Sequence, residues 1–278
     1  LGLTDAHELL ALASTEQVQG FLDLDGWQRD RLIPERLSPW LRALTELGPK
    51  HLGQVLDRLE PETIHLYFLK RTRIYDLTAE EEPPEEPDGP LWPTPDGFYV
   101  VEFLGAGDEA AADQHTLDSL YRYDLQLAQQ VLMGAKFDLE SDLEETCYRF
   151  RSARLADLGY VPFEEAMAIY RPVALDQPEA APPVATLTDQ PPLPPVLLRS
   201  LDDRLFVVRV LGEERDPAQL ERLQGELLLL FNQALSADGI DTAELARVEP
   251  VFVRTVGYLG LGLEHLGQRD PAAALTAW

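Results

Sequence analysis

The sequence predicts a mainly α protein, a superhelix of short stacked helices carrying one or two small β-hairpin elements. Three observations carry this. Prolines recur where first helical residues belong, the apolar residues between them keep helical spacing, and two proline-rich interruptions are each followed by a short Val-rich run.

The helices come first. Ser14-Thr-Glu-Gln17 fits a capping box ahead of Val18, Phe21 and Leu22. Ser38-Pro39, Gly48-Pro49 and Glu60-Pro61 each place proline at a helix start. Between them run Trp40, Leu41, Leu44 and Leu47, then Leu52, Val55, Leu56 and Leu59, then Ile64, Tyr67 and Phe68. Helices of about three turns cannot bury a face alone and must stack on neighbours. Residues 1–78 are therefore expected to be an N-terminal helical superhelix, with Trp27 and Trp40 as core anchors.

Residues 79–119 hold twelve acids and no Lys or Arg. They open with Glu80-Glu-Glu-Pro-Pro-Glu-Glu-Pro-Asp-Gly-Pro90, which repulsion and proline keep extended, so 79–96 reads as an acidic linker. Pro95-Asp-Gly97 signals a turn, and Phe98–Phe103 has strand composition with Leu91-Trp92 as a hairpin partner. Helices are expected over about 112–134 and 139–158, and a short one over 162–170, so that 97–171 combines a strand with helices. Eight prolines make 172–195 a second linker. In 196–278, Arg204–Leu211 reads as another short strand, followed by helices over about 216–236 and 241–266.

Composition limits function. The 278 residues carry 23 Lys and Arg against 49 Asp and Glu, a formal net charge of −26. Nucleic-acid binding needs clustered cations, and none gather here: Lys occurs only at 50, 70 and 136. The same charge disfavours anionic lipid surfaces. No apolar run approaches the ~20 residues of a membrane span, so no membrane insertion is expected. Cys147 stands alone and is expected as a packed core thiol; with no disulfide framework, a reducing cytoplasmic location fits. No basic flank or apolar stretch opens the chain, so no signal peptide is expected, and without an initiator Met it reads as a piece of a longer protein.

Motifs for catalysis are missing. The sequence contains no GxSxG, HExxH, phosphate loop or dinucleotide fingerprint, and His7, His51, His65, His115 and His265 form no i, i+4 pair. The sharpest cation candidate is Asp238, Asp241 and Glu244 in Ala237-Asp-Gly-Ile-Asp-Thr-Ala-Glu244, a helix–helix corner that would suit Mg²⁺ or Ca²⁺. The competing reading makes Gly239 a helix stop, with Asp241 and Glu244 as caps for the next helix.

Leu37–Arg73, with the phrase Val55-Leu-Asp-Arg-Leu-Glu-Pro-Glu62, resembles the cytosolic N-terminal superhelix of MgtE-type magnesium transporters. Phe21-Leu-Asp-Leu-Asp-Gly-Trp27, Asp96–Phe103, Arg154–Tyr160 and Glu165–Tyr170 are similar to a family of uncharacterised bacterial proteins that carries such a segment. The second resemblance implies no activity; the first implies magnesium sensing by analogy alone, since a partner domain and a pore are lacking. The expectation is a non-enzymatic protein-interaction or regulatory module with no cofactor, whose protein partner bears basic residues. The alternative is a divalent-cation-responsive module using the 238–244 corner.

Overall fold

The computed structural model describes residues 7–171, 205–240 and 245–278. It is mainly α with two small antiparallel sheets, and the chain folds as two units, Leu1–Arg151 and Ser152–Trp278.

Unit 1 opens with α1 (His7–Leu12) and α2 (Thr15–Asp25). The Ser14 hydroxyl accepts from the Gln17 amide while the Gln17 side chain accepts from the Ser14 amide, the expected capping box. Then follow β1 (Trp27–Gln28) and β2 (Arg31–Leu32), α3 (Pro34–Glu46), α4 (Pro49–Leu56) and α5 (Pro61–Arg71). Pro49 and Pro61 start their helices as expected, but Pro39 lies inside α3, which Pro34 opens instead. Ile33, in extended conformation, already supplies the helix entry, so the carbonyl of Glu35 simply goes without an amide donor at Pro39. Trp27 is buried as expected; Trp40 is half-buried, stacked on Phe21 at 5.3 Å and donating to Asp25 at 2.7 Å.

The expectation of helix throughout 1–78 fails in two places. The β1–β2 hairpin is one, and β3 (Thr72–Asp76) is the other. β3 pairs in full register with β5 (Tyr99–Phe103), which also pairs with β4 (Leu91–Pro93), giving the antiparallel order β3-β5-β4. The expected hairpin partner at Leu91-Trp92 is thus present, and a third strand lies on the far side of β5. Because the strands flanking 79–90, β3 and β4, both pair with β5, that acidic segment is an excursion within one unit.

Helices α6 (Asp108–Tyr123), α7 (Leu125–Phe137) and α8 (Glu140–Ala156) follow. One helix was expected over 112–134, but the chain breaks at Asp124, whose extended backbone lets its carboxylate accept from the amides of Gln126 and Leu127 and cap α7. α7 packs on α5, and α6 on α3 and α4. Leu22, Leu44, Leu66, Phe68, Phe103 and Leu117 are fully buried in this unit's core, and Cys147 packs there as expected.

Unit 2 contains α9 (Phe163–Ala166) with a 3₁₀ turn over Met167–Tyr170, then α10 (Phe206–Glu213), α11 (Pro217–Asp238), α12 (Leu245–Leu266) and α13 (Pro271–Ala277). The linker expected at 172–195 lies outside the described residues. The strand expected over 204–211 is corrected to the helix α10. Its β-branched composition favours a strand locally, yet Phe206, Val207 and Val210 share one helical face and are all buried in a core with Phe231, Phe252 and Val256. Tertiary burial overrides the local preference.

The α12–α13 corner is tight. A Cβ on Gly267 would lie 2.6 Å from the Ala274 Cβ and 2.7 Å from the Asp270 carbonyl oxygen. Gln268 and Arg269 then take left-handed backbone angles, φ 50 and 68. Gly267→Ala is expected to lower the thermal midpoint, through overpacking of about 1–3 kcal/mol. Arg269→Gly is expected to raise it, by relieving about 1 kcal/mol of left-handed strain. Calorimetric melts of the two variants, moving in opposite directions, check both.

Candidate functional site

Polar side chains in unit 1 collect at three places. At the first, α5 places Tyr67 and Arg71 one turn apart, facing Asp113 and Glu109 of α6. The Tyr67 hydroxyl donates to Asp113 Oδ1 at 2.5 Å and Arg71 Nε to Asp113 Oδ2 at 2.8 Å. Both terminal nitrogens of Arg71 donate to Glu109 at 3.0 Å, and Glu35 stands 3.5 Å away. The Arg71 side chain is 6% exposed and that of Asp113 2%. Burial, aided by the Asp113 carboxylate, drives the Tyr67 hydroxyl far above its ordinary pKa, so it stays protonated and donates. Burial likewise pushes the Asp113 carboxyl up, against the pull of the Tyr67 and Arg71 donors. Each Asp113 oxygen already has a donor. The cluster is a structural clasp.

The second place is the sheet. Glu102, fully buried on β5, accepts from the amides of Asp88 (2.6 Å) and Gly89 (3.2 Å) and from the Tyr75 hydroxyl (2.6 Å). Arg73 donates to Asp88 at 2.6 Å. Gly89 lies so close to β5 that a Cβ would sit 1.8 Å from the Phe103 carbonyl oxygen. At the other end of the excursion, Asp76 accepts from the amides of Thr78 and Ala79, and Glu81 accepts from the Asp76 amide at 2.8 Å. Lys136 of α7 reaches across to Glu81 and donates to the Ile74 carbonyl at 2.9 Å. Hydrogen bonds from the Asp76 amide and from Lys136 hold the Glu81 carboxyl below its ordinary value.

Both ends of the acidic segment are therefore pinned, while Glu80, Glu82, Glu85 and Glu86 remain exposed and make no ion pair among the described residues. The result is an exposed anionic arm anchored at both ends.

At the third place, Asp96 in the β4–β5 turn accepts from Thr94 (2.6 Å), the Phe98 amide (3.1 Å), Gln129 (2.9 Å) and Tyr121 (3.2 Å), tying the turn to α6 and α7. Burial opposes its charged form, but these donors outweigh it and hold the carboxyl below the usual range.

In unit 2, Asp238 closes α11 before Gly239, as expected for a helix stop, and its carboxylate is held by Arg254 and by the Tyr170 hydroxyl at 3.0 Å. A cation there would have to displace Arg254. Asp241 and Glu244 lie outside the described residues. Among those described, no group of three His, Cys, Asp or Glu is arranged to hold a metal. His65 stands 3.5 Å from Asp138 with its pKa lowered by burial; His115 and His265 are exposed. Also among the described residues, no helix is long and apolar enough to cross a membrane.

Residues 1–277 match the family model described as a family of unknown function (DUF6178). The chain belongs to this family. No curated protein and no solved structure matches it. The family match bears on the uncharacterised-family resemblance over nearly the whole chain and says nothing of magnesium transporters.

Arg71 and Asp113 escaped the sequence reading because they are 42 positions apart with no shared motif. Only the placement of an Arg after the apolar face of α5 hinted at them.

Arg71→Ala is expected to cost about 3–5 kcal/mol, because it strands a buried carboxylate. The pair Arg71→Met with Asp113→Leu is expected to recover much of this in urea unfolding. For Asp96, the lowered folded pKa means its stabilisation is complete above its unfolded value of ~4 and is lost as pH falls through the folded value. The gap in thermal midpoint between the parent chain and Asp96→Asn is expected to stay constant above about pH 5 and to shrink as pH falls below about 4. A gap that does not change with pH contradicts the assignment.

Proposed function

We propose that this protein is a non-enzymatic protein-interaction module whose recognition element is the acidic arm at 79–90, and that its partner presents clustered Lys and Arg. One observation carries the reading: four glutamates are held outward, without cationic partners among the described residues, on a segment whose two ends are fixed. Pinning the ends removes much of the conformational entropy that an unanchored acidic tail would lose on binding. Charges left uncompensated on such an arm steer oppositely charged surfaces and select among them. The buried polar clusters favour binding over catalysis, because their carboxylates already hold structural donors.

Capture from a lysate of the source cells, with and without cross-linking, tests this. The parent chain is compared with the variant Glu82→Gln, Glu85→Gln and Glu86→Gln. A basic partner is expected with the parent, to be lost with the variant and to weaken as salt rises. Identical capture by the two chains, or no salt dependence, sinks the reading.

A further inference from the structure

The arm has an apolar neighbour. Met133, Phe137 and Leu139, at the end of α7 and in the turn after it, are 49%, 62% and 67% exposed. Met133 and Phe137 are one helical turn apart on the outward face of α7. Lys136, between them in sequence, is the residue that ties Glu81 to α7, and its ammonium sits 5.5 Å from the Phe137 ring centre. The start of the anionic arm is thereby fixed beside Phe137. Beyond Leu139, Asp142 and Glu145 stand exposed on α8. The exposed apolar residues of this strip are thus accompanied by acids, Glu81 held at Lys136 and Asp142 and Glu145 following on α8. The lysines of α7 and α5 are already engaged, Lys136 with Glu81 and Lys70 with Glu140 and Glu144.

We infer that this strip is a docking site for a cationic amphipathic helix of a partner protein, with two or three apolar anchors over Met133, Phe137 and Leu139 and Lys or Arg flanking them. Charge complementarity selects that occupant. A second copy of this chain would set acid against acid across a two-fold interface, and an anionic bilayer would be repelled. Helix-in-groove recognition uses anchors at i, i+3 or i+4 and i+7, which suits a strip one to two turns long, and exposed methionine adapts to different anchors. The inference rests on the interaction reading above and adds to it the partner's secondary structure and its apolar anchors.

The test is a titration of the full chain, followed by fluorescence anisotropy, with a synthetic Leu/Lys peptide of helical periodicity. The same peptide in scrambled order and a Leu/Glu peptide of the same pattern serve as controls. The ordered Leu/Lys peptide is expected to bind with the scrambled one at least roughly tenfold weaker and the Leu/Glu one not at all. Met133→Ser with Phe137→Ser is expected to weaken binding by at least roughly tenfold, whereas Tyr258→Ser, an exposed aromatic in unit 2, leaves it unchanged. All these side chains are exposed, so unchanged melting curves show that the variants fold. Equal binding of ordered and scrambled peptides, or indifference to the Met133/Phe137 variant, overturns the inference. So does self-association in sedimentation, or binding to anionic vesicles, that the same variant abolishes. If peptide binding fails while capture from lysate still depends on the arm, only the docking strip is lost; if both fail, the interaction reading goes with it.

Discussion

Unit 1 depends on the burial of one charged group, the guanidinium of Arg71. It ends α5, and β3 begins at the next residue. Its backbone carbonyl accepts from the Leu104 amide at 2.8 Å, just past β5, while its side chain binds Asp113 and Glu109 of α6. One residue thus joins the helix before the sheet, the sheet's central strand and the helix after it. Gly105 fits against the guanidinium, where a Cβ would lie 2.4 Å from a terminal nitrogen. Taking two charges out of water is costly, and apolar residues of similar volume would serve stability as well or better. What the ion pair adds is exclusivity. Any slip between α5 and α6 leaves a buried charge unpaired, whereas a slipped apolar contact loses far less.

That register decides where the acidic arm leaves and returns. With Thr72 opposite Phe103 and Asp76 opposite Tyr99, the excursion starts beyond one end of the β3–β5 ladder and must come back beside its other end. Glu102 meets it there with amide hydrogen bonds, and Lys136 holds its start. The surface ion pair of Arg73 with Asp88 adds little by comparison, since exposed pairs typically contribute below about 1 kcal/mol. Repulsion among the glutamates is screened over about 8 Å in physiological salt, so it opens the arm without lifting its anchored ends.

Features written in local chemistry were legible in the sequence. The Ser14–Gln17 box, the helix starts at Pro49 and Pro61, the turn at Asp96-Gly97 and the β5–β4 hairpin all follow from residues within a few positions of one another. Features decided across the chain were not. β3 reads as the tail of a helix until β5 pairs with it 27 residues later. Leu205–Leu211 alternates too little to reveal its period, and only packing against Phe231 and Phe252 makes it helical. The candidate site divided in the same way. The acidity of the arm was visible at once, but the donors that immobilise it, the Asp88 and Gly89 amides on Glu102 and Lys136 on Glu81, are tertiary.

The charge imbalance acquires a different meaning once those donors are placed. A chain with about two acids per base might be expected to spread its surplus evenly as a solubilising coat. In unit 1 four cations are instead committed to particular carboxylates: Lys70 to α8, Arg71 to α6, Arg73 and Lys136 to the two ends of the arm. Internal use of cations concentrates the uncompensated charge on what remains, and the arm is its densest stretch. A solubilising coat needs no fixed geometry, and anchoring the two ends of this stretch costs backbone entropy. That the fold spends a buried glutamate and one of its three lysines on doing so argues that the position of these charges matters, as well as their number.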